Sequence, residues 1–244
     1  MATRQLDNNG VPREFRPSLT HPFYFIRQGL YKGILSKSGA LKGRLLDFGC
    51  GSKPYRSLFD VEEYIGVDYY NEGHPHDNEQ IDFFYDGKKL PFCDQNFDSV
   101  LCSEVFEHVF NLDEALAEIN RVLKTDGRIL ITCPFVWNEH EVPHDYARYT
   151  RFALEDILKR AGFEIMEFSK SGNFILVIHQ EWVLYFKLLL QKKSRKFFLF
   201  RWLYKVFFVF LPNLTGSVLN ALLPENDSLY LNNIVLARKV RQKQ

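Results

Sequence analysis

The stretch "LLDFGCGSKPY", residues 45–55, decides the fold of this 244-residue chain. It reads as a buried strand, a turn at Gly49 and Gly51, and the start of a helix. Glycine accepts the backbone angles of a tight turn and lets a ligand approach the main chain closely. Asp68 follows nineteen residues after Gly49, at the end of the next apolar run, where a carboxylate can accept hydrogen bonds from ribose hydroxyls. The stretch therefore predicts a nucleotide-type site at the end of a strand.

The surrounding sequence alternates short apolar runs with amphipathic helices. This order predicts an α/β fold with a parallel sheet and right-handed crossovers. Runs without polar alternation predict strands buried on both faces, and Gly127 is expected to end the second helix. The predicted strands are 44–49, 64–70, 81–86, 97–103 and 127–135, and the predicted helices are 53–60, 112–124 and 151–161.

Composition sets the class of protein and its compartment. The formal net charge is +1, so the chain as a whole gives no electrostatic argument for nucleic acid. None of the four cysteines forms a CxxC pair, and their apolar surroundings predict buried free thiols in a reducing compartment. The polar N-terminus lacks an apolar signal core, and the predicted location is the cytoplasm.

The glycine turn and Asp68 fit both dinucleotide sites and S-adenosylmethionine (SAM) sites. The third glycine of the dinucleotide fingerprint separates the two. That position is Pro54 here, which suits a first helical turn but not the close helix packing of the fingerprint. The sequence therefore favours SAM over NAD.

Six motifs carry a family resemblance: "LLDFGCG", "YIGVDYY", "DGKKLPFCDQNFDSV", "CSEVFEHV", "EINRVLKTDGRILIT" and "RFALEDILKRAGFEI". They cover about residues 40–170, and the chain resembles the class I SAM-dependent methyltransferases of the ubiquinone and menaquinone methyltransferase-like branch (methyltransferase type 11). The resemblance implies a Rossmann-like seven-stranded sheet in the order 3-2-1-4-5-7-6, with helices on both faces and an antiparallel seventh strand. It also implies SAM as the cofactor.

The resemblance further implies where SAM binds. The amino-acid part of SAM would contact the first strand and the glycine turn. The ribose would contact Asp68, and the adenine would contact the end of the third strand. Many relatives have a third glycine where this chain has Lys53, which leaves the shape of the turn open. The residues expected at the cofactor are Asp47, Gly49, Cys50, Gly51, Asp68, Tyr69, Asp86, Gly87 and Ser103.

The motif "SEVFEHV", residues 103–109, raises the question of a metal. Placed on a helix, Glu104, Glu107 and His108 would share one face, and carboxylates with imidazole can bind a divalent ion. Some relatives hold a metal with such a motif and a later histidine, here His140 or His144; many others carry the motif without one. We predict no metal and keep these residues as the alternative site.

The stretch "EHEVPHDYARYTR", residues 139–151, follows the fifth strand, where the family places acceptor-side residues. Pro143 argues against a continuous helix, and Thr150 is a plausible N-cap for the helix that follows. We expect His140, His144 and Asp145 to be catalytic, with one histidine as general base, because an unshifted imidazole suits that task. The residues expected to bind an anionic or hydroxylated acceptor are Tyr146, Arg148 and Arg151. The alternative is a surface loop whose arginine and aspartate pair with each other.

Residues 182–211 hold eleven aromatic side chains and seven basic ones, without an acidic residue. The charges, together with Pro212, Asn213 and Gly216, argue against a helix that spans a bilayer. Three alternatives are open: helices lying on an anionic membrane face, a lid over the acceptor, or a homodimer interface. The membrane alternative places the chain peripherally on the inner membrane face and points to a lipid-linked acceptor.

These observations predict four segments and one leading function. The predicted segments are 1–40 (polar lead-in and helix), 41–170 (SAM-binding core), 171–228 (aromatic and basic helical insertion) and 229–244 (last strand and basic tail). The leading function is SAM-dependent O-methylation of a small-molecule, glycan or lipid-linked acceptor. The alternatives are a non-catalytic SAM-binding scaffold and a metal-assisted RNA 2′-O-methyltransferase, although no N-P-P-Y-type motif indicates nucleic acid.

Overall fold

The computed structural model describes residues 6–69, 80–190 and 198–240, with side chains at 198 and 199 left aside. Residues 1–5, 70–79, 191–197 and 241–244 lie outside the described residues, and with them residue 70 of the predicted strand 64–70 and part of the aromatic and basic segment. The strands are β1 (Arg44–Phe48), β2 (Glu63–Tyr69), β3 (Phe83–Tyr85), β4 (Phe97–Ser103), β5 (Leu123–Pro134), β6 (Phe163–Ser171) and β7 (Asn232–Lys239). The helices are α1 (Tyr24–Ser38), α2 (Leu112–Val122), α3 (Arg151–Arg160), α4 (Phe174–Leu190), α5 (Phe198–Tyr204) and α6 (Leu211–Leu222).

The seven strands form one sheet in the order 3-2-1-4-5-7-6, which confirms the predicted fold class. β1 pairs in parallel with β2 and β4, and the parallel pairing continues to β3 and β5. The central strands are buried along almost their whole length, as their unbroken apolar sequences predict. Their carboxyl ends therefore meet at one edge of the sheet.

Two predicted helices differ from the structure. The segment 53–60 forms only a single 3₁₀ turn, Arg56–Leu58, because the backbone is extended again at Phe59. Helix α2 ends at Val122 rather than at Gly127, since Leu123 already pairs with Phe97 as the first residue of β5. A Cβ at Gly127 would lie 2.7 Å from the Leu123 side chain, so that glycine serves close packing and not the end of the helix.

The four cysteines are free thiols, as predicted. Cys50, Cys102 and Cys133 are buried, which fits their place in apolar strands and turns. Cys93 is exposed, contrary to the expectation for all four. It lies in the polar turn before β4, where the neighbouring Asp94 and Gln95 hold the chain at the surface.

The chain divides into two compact units, which are described separately. One unit contains residues 33–169 and 233–244, and holds the sheet core and the predicted site residues. The other contains residues 1–32 and 170–232, and holds α4, α5 and α6.

In the second unit, α5 continues through a π-helical stretch, Lys205–Phe210, into α6. Phe200–Leu222 is helical throughout, so Pro212, Asn213 and Gly216 do not interrupt the helix, and the expectation that this segment does not span a bilayer stays a prediction. The wider π turns precede Pro212, which lacks an N–H and crowds the carbonyl one turn back. Within the described residues this is the one helix long and apolar enough to cross a membrane, with 17% of that stretch buried inside the protein.

Candidate active site

The glycine turn after β1 is tied to the end of β2 by backbone bonds. The N–H groups of Gly49 and Cys50 both donate to the carbonyl of Val67, at 2.9 and 3.1 Å. The next amide, that of Gly51, donates to Oδ2 of Asp68 at 2.7 Å. The predicted ribose-binding carboxylate is thus fixed directly against the predicted cofactor turn.

Both glycines of the turn are required by backbone geometry. Gly49 has φ +74° and Gly51 has φ +44°, in the left-handed region that side chains disfavour. A Cβ on Gly49 would also collide with the side chain of Val105, which follows β4. The turn therefore packs tightly between the ends of β1, β2 and β4.

Lys53 occupies the position where many relatives carry a third glycine. Its φ is +51°, so the left-handed conformation is kept although the residue has a side chain. The Lys53 Nζ bonds Oδ2 of Asp82 at 2.6 Å, and the same oxygen accepts from the Gly66 N–H at 2.7 Å. Burial raises the pKa of Asp82, but the bonds from Lys53 and Gly66 outweigh it and lower the pKa overall. The ion pair with Asp82 thus holds Lys53 in a backbone conformation that a glycine at this position would adopt without strain.

Asp47 and Cys50 lie inside the protein at this turn. The Asp47 carboxylate is almost fully buried and accepts a hydrogen bond from the Tyr64 hydroxyl at 2.6 Å. Burial raises the pKa of Asp47 to about 7, in spite of that hydrogen bond. The Cys50 side chain is buried as well, so each side chain offers little surface to a ligand. Their contact with the amino-acid part of SAM stays a prediction.

The predicted adenine side lies at the end of β3. The Asp86 carboxylate accepts from the N–H groups of Lys88 and Lys89 at 2.9 and 3.0 Å, and these bonds lower its pKa. Gly87 has φ +82°, and a Cβ there would lie 3.2 Å from the exposed ring of Tyr69. The absence of a side chain at Gly87 keeps that ring accessible as a flat surface.

A polar chain links the ends of β4 and β5. Oγ of Ser103 lies 3.1 Å from Oγ1 of Thr132, which donates to Oε1 of Glu104 at 2.8 Å. Glu104 has φ +57° and lies outside any helix, so the expected shared helix face with Glu107 and His108 is wrong. Only a 3₁₀ turn, Phe106–His108, follows it, because the left-handed residue reverses the chain.

Glu107, His108 and His140 nevertheless meet in space. Their potential metal-binding atoms lie within 4.8 Å of one another, and the rings of His108 and His140 are 4.7 Å apart. His108 Nδ1 bonds the carbonyl of His144 at 2.7 Å, which leaves Nε2 as the acceptor, 3.8 Å from both Glu107 Oε1 and Glu141 Oε2. We call these three residues the Glu–His–His cluster.

Glu107 is the most unusual member of the cluster. Its carboxyl group is buried, and among the described residues neither oxygen has a hydrogen-bond partner. Burial raises its pKa well above the usual value, and the charge of Glu104 adds to the shift. Buried polar groups are normally satisfied, so this carboxyl is suited to a ligand that supplies a proton or a positive charge.

The loop after β5 is held by Asp145 and Arg148. The Arg148 guanidinium donates to both carboxylate oxygens of Asp145 at 2.6 and 2.7 Å, and also to the carbonyl of Asn138. Burial raises the pKa of Asp145, but the Arg148 bond and the His140 N–H outweigh it and lower the pKa to about 2. This is the pairing foreseen in the surface-loop alternative, and it also positions His140, whose Nδ1 lies 3.2 Å from Asp145.

The other loop residues are placed differently. The His144 ring bonds the Tyr146 hydroxyl at 2.9 Å instead of entering the cluster. Thr150 caps α3 as predicted, accepting from the Ala153 N–H at 3.2 Å. Arg151 pairs with Glu155 at 2.6 Å. Acceptor binding by Tyr146, Arg148 and Arg151 stays a prediction.

Comparison with known proteins finds a family whose sequence model matches part of this chain. The family model described as "Methyltransferase domain" matches residues 46–131, from β1 into β5. Residues 46–131 are a methyltransferase domain. For these residues the match agrees with the methyltransferase family inferred from the motifs.

Relatives agree with this methyltransferase domain. An uncharacterized methyltransferase of Bacillus subtilis, YcgJ, is 30% identical over 126 residues, 46% of this chain and 47% of the relative. The ubiquinone/menaquinone biosynthesis C-methyltransferase UbiE of Bartonella bacilliformis is 29% identical over 133 residues, 42% of this chain and 51% of the relative. The chain thus spans about half the length of these curated relatives.

A solved structure supports the fold. Phosphoethanolamine N-methyltransferase 2 of Haemonchus contortus, in complex with SAM, superposes with a TM-score of 0.52 at 21% identity. The superposition covers 88% of this chain and 52% of that one.

The residues of the methyltransferase domain fit its cofactor, SAM. The molecule presents hydrogen-bond donors, namely an ammonium, two ribose hydroxyls and an adenine amine. The chain presents acceptors at the matching edge, the carboxylates of Asp68 and Asp86. Gly87 and the Tyr69 ring leave a flat surface between them for a planar base.

Three residues that the sequence reasoning did not single out belong to this site. Thr132 bridges Ser103 and Glu104, and its place at the carboxyl end of β5 was a usable signal. Glu141 faces His108 from within the quoted loop, without a spacing that would mark it. Asp82 accepts from Lys53, 29 residues away, and had no sequence signal.

Proposed function

We propose that this chain is a methyltransferase that uses SAM to methylate a hydroxyl group, and that the hydroxyl proton is removed at the Glu–His–His cluster. The observation that supports it is the position of His140, which follows β5 at the edge where Asp68 follows β2. SAM supplies a methyl group on a sulfonium, an electrophile strong enough to need no covalent enzyme intermediate. The residues of the chain have to position the acceptor, and proximity of that kind can supply about 7–11 kcal/mol.

His140 is suited to act as the general base. Its Nδ1 lies 3.2 Å from the Asp145 carboxylate and 3.3 Å from the Asn138 carbonyl, two acceptors, and 3.4 Å from one donor, the Arg148 guanidinium. The two nearer acceptors favour the N–H on Nδ1, which leaves Nε2 basic. Burial lowers the pKa of His140, and the neighbouring His108 lowers it further. The imidazole is therefore neutral at pH 7 and ready to accept a proton.

The acceptor-side surface favours an acceptor with an apolar part. Phe110 is 78% exposed, and its ring lies 5.3 Å from that of Tyr146. The Tyr146 N–H is anchored on the Glu107 carbonyl at 2.7 Å, which keeps this aromatic pair beside the cluster. We therefore extend the proposal to a phenolic or lipid-linked hydroxyl acceptor.

The test begins with binding and proceeds to turnover. Titration calorimetry with S-adenosylhomocysteine measures the cofactor site, and transfer of radiolabelled methyl from SAM measures activity. The acceptor panel pairs phenols with and without a prenyl chain, and sets each phenol against the matched aniline. We expect label on the hydroxyl acceptors only, and more on the prenylated ones.

Two results would contradict the proposal. Label on nitrogen or on ring carbon would show that no hydroxyl proton has to be removed. Cofactor binding without transfer to any acceptor class would favour the non-catalytic scaffold.

A second candidate is metal-assisted methylation, favoured by the unpartnered buried carboxyl of Glu107. Glu107, His108 and His140 would hold a divalent ion, and the histidine bond to a backbone carbonyl is typical of metal ligands. A bound cation lowers the pKa of a coordinated hydroxyl, which replaces the need for a histidine base. Activity that is lost in EDTA and restored by Mn²⁺ or Mg²⁺ would favour this route; activity unchanged by EDTA would favour the base.

A further inference from the structure

The unit formed by residues 1–32 and 170–232 contains two helices that are apolar on both faces. The inner face of α4 is buried through Val177, Val183 and Leu184, and that of Phe200–Leu222 through Val209 and Gly216. An ordinary surface helix is polar on the face opposite its buried stripe. Here that opposite face is apolar as well.

The exposed faces form regular stripes. On the long helix, exposed apolar side chains recur every three or four residues at Leu203, Phe207, Leu211, Leu214, Val218 and Leu222. On α4 they recur in the same way at Phe174, Ile178, Trp182, Tyr185 and Leu189. The rings of Phe186 and Phe208 lie 4.3 Å apart, so the two helices pack side by side. Together the two stripes expose eleven large apolar side chains, and an exposed apolar patch of this kind marks an interaction surface.

The charge of this segment matches an anionic surface. Residues 171–223 contain seven basic residues and one acidic residue, a net +6, whereas the whole chain is +1 and the remainder is therefore −5. Arg201 and Lys205 lie exposed within the long helix. The exposed Trp182, Tyr185 and Trp202 are the side chains enriched at membrane–water boundaries.

The long helix is also fastened along its inner face, which decides between lying on a bilayer and crossing it. Asn213, in the middle of that helix, donates to the carbonyls of Leu19 and His21 at 2.8 and 3.0 Å. A Cβ on Gly216 would lie 2.8 Å from the His179 ring of α4, so the backbones approach closely. A helix held by protein along one side has only its other side free for lipid, which favours lying on a bilayer over crossing it alone.

We propose that the exposed face of α4 and Phe200–Leu222 is a docking surface for an anionic lipid bilayer, with both helices lying in the plane of the membrane interface. Apolar and aromatic side chains enter the acyl region, while Arg201 and Lys205 meet lipid phosphates. The inference goes beyond the proposed function and does not depend on it.

The test is co-sedimentation of the full chain with vesicles of phosphatidylcholine and phosphatidylglycerol, against vesicles of phosphatidylcholine alone. We expect at least tenfold stronger binding to the anionic vesicles at 50 mM salt than at 500 mM. Changing Arg201 and Lys205 to Gln should weaken binding about 25-fold, at roughly fivefold per basic residue.

A matched pair of variants tests the apolar face. Trp202 and Phe207, 54% and 55% exposed, are changed together to Ser; Phe152, 77% exposed on α3 in the other unit, is changed to Ser as the control. We expect the first variant to lose at least tenfold in binding and the control to lose none. Circular dichroism and urea unfolding, measured on all variants, report that each is folded.

Three outcomes would overturn the proposal. The first is the absence of co-sedimentation by the folded wild type. The second is a concentration-dependent dimer that the Trp202/Phe207 variant abolishes while vesicle binding is unchanged, which would assign the face to a second copy. The third is resistance of bound protein to extraction at high salt and pH 11, which would indicate a spanning helix.

Discussion

Changing Glu107 to Gln should remove a pH dependence of stability that the wild type carries. The pKa of the buried carboxyl is raised well above its usual 4.5, so the folded state binds the proton more tightly than the unfolded state does. The stability from that proton is fully present below pH 4.5 and is lost as pH rises toward the raised pKa. The variant is nearly isosteric and keeps the backbone bond from Tyr146.

The size of the effect follows from linkage. One proton bound only by the folded state changes the free energy of unfolding by about 1.4 kcal/mol per pH unit. Between pH 5.5 and 7.5, the variant should gain up to about 3 kcal/mol relative to the wild type. Groups common to both proteins, including Asp47 with its pKa of about 7, cancel in this difference to first order.

The assay is urea unfolding followed by circular dichroism at pH 5.5, 6.5 and 7.5, in the presence of EDTA. A repeat with saturating Mn²⁺ asks whether a cation stabilises the wild type and not the variant, as a metal site requires. The reasoning is refuted if the two proteins keep the same stability difference, within 0.5 kcal/mol, at all three pH values.

Three further predictions concern the two halves of the site. Asp68→Ala should weaken S-adenosylhomocysteine binding by about 10–150-fold in calorimetry, because a charged hydrogen bond contributes about 1.5–3 kcal/mol; Asp68→Asn should lose less, and equal loss in both would contradict hydrogen bonding by the carboxylate. His140→Ala should lower kcat by about 10²–10⁴ with cofactor affinity within threefold, while His144→Ala should stay within a few-fold; equal effects would remove the base assignment. Gly49→Ala should lower the urea midpoint and abolish cofactor binding. Adding Val105→Ala should recover the stability lost to the side-chain collision, but not the stability lost to backbone strain at position 49. No loss of stability in the single variant would show that the turn adapts.

Sequence reasoning succeeded where periodicity and chain order carry the information. The strand order and the placement of Asp68 beside the glycine turn follow from parallel strands that end at one edge. The Thr150 cap was equally readable, because its hydrogen bond spans only three residues.

Sequence reasoning failed where distant residues or single backbone angles decide. Nothing local predicts that Glu104 has a left-handed backbone conformation. The expected shared helix face therefore does not form, although Glu107 and His108 still lie beside His140. The long helix through Pro212 depends on π turns and on the anchoring of Asn213 by the N-terminal segment, which composition does not reveal.

The bridge from Lys53 to Asp82 makes two sequence positions interdependent. The stem of Lys53 crosses the backbone at Gly66, and a Cβ at Gly66 would collide with it. In a homologue with glycine at position 53 a Cβ at position 66 would still lie 2.6 Å from Sγ of Cys50, so position 66 stays glycine, whereas position 82 loses its basic partner and can lose its acid. Substitution patterns across relatives should therefore show positions 53 and 82 changing as a pair.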